Sequence, residues 1–84
     1  MPLYFFDTFE NGTHIVDDHG HDCVSHEEVR LEAMRVLPSI AREEIPKDGD
    51  RQAFTVLVKD EAGAPVYSAT LTFAGLWLGG NGTE

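Results

Sequence analysis

Apolar and polar positions alternate with a period of two near both ends of this chain and recur every three to four residues in its middle. Leu3 to Phe9 puts Tyr4 and Phe6 on one face and Leu3, Phe5 and Phe9 on the other, which is a strand pattern. Apolar residues on both faces predict a central strand, or one whose second face meets another molecule. Asn11-Gly12 follows, a pair that tolerates the positive φ of a tight hairpin turn, and Thr13 to Val16 is the expected returning strand. Asp17 to Val24 is polar and reads as a loop turning at Gly20. From Ser25 to Glu44 the period changes: Val29, Ala33, Val36, Leu37, Ile40 and Ala41 form one apolar stripe, while Glu28, Glu32, Arg35, Ser39, Arg42 and Glu43 occupy other faces. Ser25 and Glu28 have the spacing of a capping box, and Glu27 and Glu28 put negative charge where the first helical N–H groups favour it. Pro38 would remove the N–H that bonds to Met34, so a kink or two helical pieces is expected there. Pro46 and the run Lys47-Asp48-Gly49-Asp50 should end the helix.

The period of two returns in Ala53 to Val58 and in Val66 to Phe73, joined by a turn at Asp60-Glu61-Ala62-Gly63. This second hairpin would present Phe54, Val56, Val58, Tyr67, Leu71 and Phe73 to the helical stripe. The order is ββαββ, an α+β domain with a four-stranded antiparallel sheet and one helix packed on one face. Residues 1–78 would form that single domain and residues 79–84 a flexible C-terminal tail. Within the apolar segment Ala74 to Leu78, Trp77 is expected to fold back over the sheet edge, with docking on a neighbour as the alternative.

The chain's 84 residues suffice for one core, and 42% hydrophobic with 25% charged residues is ordinary for a folded domain. What stands out is a net charge of −9, which opposes direct nucleic-acid binding because phosphate recognition needs Lys and Arg. Asp7, Glu10, Asp17, Asp18, Asp22, Glu27 and Glu28 precede the first basic side chain, Arg30, so the N-terminal half should also avoid anionic membranes. No apolar run approaches the roughly 20 residues of a membrane span, and the N-terminus lacks the charge and apolar pattern of a signal peptide. Cys23 has no second cysteine to pair with, and a cytoplasmic setting is expected.

The residues that could carry chemistry are His19, His21, Cys23 and His26, interleaved with Asp17, Asp18 and Asp22. Imidazole, thiolate and carboxylate are ligands that zinc accepts, and a loop can wrap them around one ion. The spacing is not that of a recognised structural zinc site, and a solvated His-rich loop with Cys23 as a small buried hydrophobe explains the same residues. No other cofactor is indicated. Catalysis is not: a reactive thiolate needs electropositive surroundings, and this loop is rich in carboxylates. Ser25 serves as a cap, and none of the turn glycines belongs to a phosphate-binding motif.

Pro2-x-Tyr4-Phe5-Phe6, Asp17-x-x-Gly20, Arg30-x-Glu32-Ala33 and Phe54-x-Val56-x-Val58-x-Asp60-Glu61-x-Gly63-x-Pro65-Val66 together resemble a family of short rhizobial-type, alphaproteobacterial domain-of-unknown-function proteins, over roughly residues 2–73. The resemblance implies turns, a cap and core positions, and brings no catalytic residues. His19, His21, Cys23 and His26 stand where that family is more often acidic or aliphatic, and Asp7 where a His is frequent.

The function expected is therefore a small acidic protein-interaction or regulatory module that self-associates through its sheet, as a homodimer, and is not an enzyme. The alternatives are metal binding by the His19-His21-Cys23-His26 loop, and an antitoxin-like module that masks a basic partner.

Overall fold

A computed structural model of the protein describes residues 2–79. Its elements are β1 (Leu3–Glu10), β2 (Thr13–Ile15), β3 (His21–Asp22), α1 (His26–Asp48), β4 (Arg51–Lys59) and β5 (Pro65–Ala74). The fold is α+β, one helix on an antiparallel sheet, with five strands where the pattern predicts four. The order is β2-β1-β4-β5, and the additional strand, β3, also pairs with β1. As expected, Asn11 and Gly12 take positive φ (53° and 91°) in the first hairpin, and Gly63 (86°) in the second.

The additional strand arises because the returning arm of the first hairpin is too short to cover β1. β2 pairs only with Thr8, Phe9 and Glu10. Beyond it the Asp17 carboxylate accepts the Phe6 N–H at 3.0 Å, and the N–H groups of His19 and Gly20 at 3.0 and 3.1 Å. One side chain thus stands in for a strand carbonyl and turns the loop back. His21 and Asp22 then pair with Tyr4 and Leu3. Gly20 is required at this turn: its φ is 81°, and a Cβ there would lie 2.8 Å from Leu3 Cγ.

Ser25 caps the helix as expected, its Oγ accepting the Glu28 N–H, while Glu28 Oε1 accepts the Val24 N–H where a capping box would have it accept that of Ser25. It runs in one piece through Pro38 and Pro46 to Asp48, beyond the predicted end at Glu44, and Gly49 terminates it at φ 98°. Both prolines and the residues four before them, Met34 and Arg42, are exposed. The carbonyls that lose a partner therefore lie on the solvent side, where water can hydrate them.

The buried residues of α1, Val29, Ala33, Leu37 and Ala41, repeat every four positions. Two are alanines, which lets the helix approach Phe54, Val56 and Val58 of β4, each wholly buried. Phe6 and Cys23 complete this core, with Tyr4, Ile40, Ile45, Tyr67 and Ala69 packed around it. Leu71, expected in the core, stays exposed, and Phe73 is half-buried, because the helix covers β4 more fully than the end of β5. Trp77 does not fold back over the sheet and is exposed. Of the tail expected over residues 79–84, all but Gly79 lies outside the described residues. No helix of the described residues is long and apolar enough to cross a membrane.

Replacing Phe54 by Ala should lower stability by about 3–5 kcal/mol in urea unfolding, since the site is closed on all sides. Replacing Pro38 by Ala should raise it, by up to about 3 kcal/mol, since it restores a helical hydrogen bond at an exposed position.

Candidate functional site

The face of the sheet turned away from α1 carries Leu3, Phe5, Asp7 and Phe9 of β1 beside Thr55, Leu57 and Lys59 of β4. At its centre Asp7 is only 1% exposed. Its Oδ2 is 2.8 Å from Lys59 Nζ and 3.0 Å from His14 Nε2, while Oδ1 accepts the Asp17 N–H at 3.1 Å. Burial pushes this carboxyl upward, but the ammonium, the N–H and the imidazole outweigh it and hold the pKa at about 2. Asp17 is lowered as well: burial raises it, and the N–H groups of Phe6, Gly20 and His19 more than compensate. His14 stacks on Phe9 at a centroid distance of 4.4 Å, and Gly20 packs against Leu3 and Phe5. The loop and the hairpin thereby cover much of the face that the helix leaves bare. The cluster is satisfied internally, and among the described residues no buried side-chain nitrogen or oxygen lacks a partner.

The four ligand candidates lie in different surroundings. His19 contacts Asp18 at 2.7 Å with both side chains in solvent. His21 stands edge-on to Phe6 and 3.9 Å from a Glu32 oxygen. Cys23 is buried in the core, where desolvation and the carboxylates of Glu28, Glu32 and Asp22 push its thiol up. His26 opens the helix and lines a separate hollow with Val29, Arg30 and Tyr67. Among the described residues, the one group of three ligand-type side chains near enough to share an ion is Asp17, Asp18 and His19. Both Asp17 oxygens there already accept backbone N–H groups.

The sheet edges differ sharply. The edge at β1 is broken into strands of three and two residues with the Asp17 carboxylate between them, the short, charged pattern that discourages pairing with another chain. The opposite edge is β5, ten residues long, whose outer side has no partner strand among the described residues. Its single irregularity, at Val58/Lys59, is confined to its first residues. Beyond Pro65 and that irregularity no charge guards β5: from Ala62 to Thr83 the sequence contains no Asp, Glu, Lys, Arg or His. That charge-free run, in a chain with 25% charged residues, is the sequence signal that points to this edge. Beside it a shallow apolar groove of about 350 Å³ is lined by Met34, Leu37, Pro38, Tyr67, Ala69 and Leu71.

Comparison with known proteins gives one match. The family model described as a domain of unknown function (DUF6894) matches residues 3–72, which hold nearly the whole of the sheet and the helix. No curated protein matches the chain. No solved structure matches it.

Asp7 gives this face a defined pH dependence. Its folded pKa lies below the ordinary value of 3.8, so the stability it contributes is complete above about pH 4 and is lost as the pH falls towards about 2. The loss should be on the order of 2 kcal/mol. Asp7→Asn, which leaves Lys59 without its counter-charge, should cost about 1–3 kcal/mol at pH 7, and the gap from the unaltered protein should close at pH 2 in urea titrations.

Proposed function

We propose that this chain, which belongs to the DUF6894 family, acts as a small protein-interaction module that self-associates through the free edge of its sheet. The observation that carries the reading is the contrast between the two edges: one is fragmented and sealed by Asp17, the other is long, uncharged and open. An edge strand presents a row of unpaired N–H and C=O groups, and an antiparallel copy of the same strand satisfies that row by two-fold symmetry. The occupant is a second copy because the edge is self-complementary and carries no charge that would select a basic or acidic partner. The product is one continuous antiparallel sheet across two chains, with both helices on the same side.

The charge distribution supports this geometry. Each copy carries −9, yet β5 itself contributes nothing to the repulsion. The charges lie on α1, β1, β4 and the connecting turns, including Asp60 and Glu61 before β5, where salt can screen them.

Sedimentation equilibrium should therefore show a dimer, and raising the salt from about 20 mM to about 500 mM should tighten it several-fold, since screening removes repulsion without touching the contact. Ser68 and Thr72 face the open side of β5, opposite Leu57 and Ala53. Placing lysines at both, as natural edge strands do, should leave a folded monomer. A particle that stays monomeric at millimolar concentration in high salt overturns the reading.

A further inference from the structure

The chain does not end its apolar run with β5. Leu76, Trp77 and Leu78 follow it with side chains 76%, 73% and 82% exposed, consecutive large apolar residues that touch little of their own domain. A hollow of about 480 Å³ lies beside the end of β5, between Asn11, Gln52, Ala53, Thr72 and Phe73, yet Trp77 does not fill it and stays exposed. Gly75 is anchored by its N–H, which donates to the Asp50 carbonyl at 2.7 Å. Trp77 lies two residues beyond and extends at most about 7 Å from that point. The hollow beside Tyr67 lies eight strand residues behind it, about 27 Å at 3.4 Å per residue.

A second copy paired along β5 reverses this geometry, because its strand runs the other way. Tyr67 and Ala69 pack against the core on the helix side, and Leu71 and Phe73 share that side by alternation. For two copies to put both helices on one side, facing residues must agree in this alternation, which removes every second register. Among the remaining registers, the one with Thr72 opposite Thr72 brings Trp77 opposite Tyr67 of the second copy, Gly75 opposite Ala69 and Phe73 opposite Leu71. A register centred on Thr70 leaves Leu76 to Leu78 beyond the end of the neighbouring strand, still in solvent. We propose that residues 75–78 of each copy extend the β5 pairing and seat Trp77 on the second copy, in the hollow of about 260 Å³ lined by His26, Glu27, Val29, Arg30, Val66 and Tyr67. That hollow presents an apolar floor, Val29 and Tyr67, and the Arg30 guanidinium, a cation suited to the face of an indole. The inference rests on the edge-pairing reading and adds the register and the anchor. The segment lies beyond residues 3–72, which the family model matches.

Trp77 is the one tryptophan in the chain, so its emission reports the contact without labelling. Emission spectra and sedimentation are measured on the full chain over the same dilution series, together with Trp77→Ala by sedimentation and Val66→Asp by both methods. Val66 is exposed at the strand edge, and its replacement should leave the fold intact, which circular dichroism checks. The expected result is blue-shifted emission that moves to the red in step with the dimer fraction. Both variants should weaken the dimer at least tenfold, and Val66→Asp should show red emission at concentrations where the unaltered protein is blue. A dimer whose emission stays solvent-like overturns the Trp77 anchor and leaves the edge pairing standing. A monomer at all concentrations removes both, and blue emission in a monomer assigns Trp77 to its own chain and overturns the exchange.

Discussion

The carboxylate of Asp17 sits in the edge of the central strand, and the arrangement of the whole sheet follows from what it does there. β1 needs acceptors for its N–H groups along one side, and the hairpin supplies them only as far as Thr8. Asp17 takes the Phe6 N–H and at the same time folds its own loop back, so that His21 and Asp22 reach Tyr4 and Leu3. Its own N–H donates to Asp7, whose charge is balanced by Lys59 from β4. Two carboxylates thus tie the first hairpin, the loop and the second hairpin into one polar network beneath Phe5 and Phe9. The same contact makes the β1 edge unsuitable for a further strand. Among the described residues, the long edge without a partner strand is that of β5.

The helix shows how packing and solvent share the cost of an awkward sequence. Ala33 and Ala41 allow close approach to β4, and three fully buried side chains there supply most of the contact. Prolines that would break a buried helix are accommodated because Pro38 and Pro46 fall on the exposed side, where the carbonyls they leave unpaired meet water. A helix packed on the middle of the sheet also leaves Leu71 and Met34 open along β5. Sheet order leaves the β5 edge free, and the groove beside it opens between α1 and β5.

The open edge at β5 is marked in the sequence by an absence of charge from Ala62 to Thr83, a quieter signal than the cluster of His19, His21, Cys23 and His26. Nearness along a chain is a poor guide to convergence in a loop that turns twice. The backbone sends Cys23 into the core and His26 onto the helix, while His19 remains in solvent. A run without charge is informative for a simpler reason: an edge strand is guarded by charges or left open, and composition alone records which.

Local physics along the chain determined most of the elements. Alternation named β1, β4 and β5 and the helix-facing sides of β4 and β5, Asn11-Gly12 and Gly63 placed the turns, and Ser25 with Glu28 started the helix, because each depends on residues a few positions apart. Tertiary structure decided the rest. The end of the helix at Asp48 was settled by solvent on the proline face, and β3 by the reach of one carboxylate across the sheet. The core position of Cys23, the buried charge of Asp7 and the freedom of β5 all depend on partners brought from far along the chain: Lys59 lies remote from Asp7 in sequence and directly beside it in space. No local pattern encodes such a pairing, since a strand's period says which way a side chain points and not what it will meet.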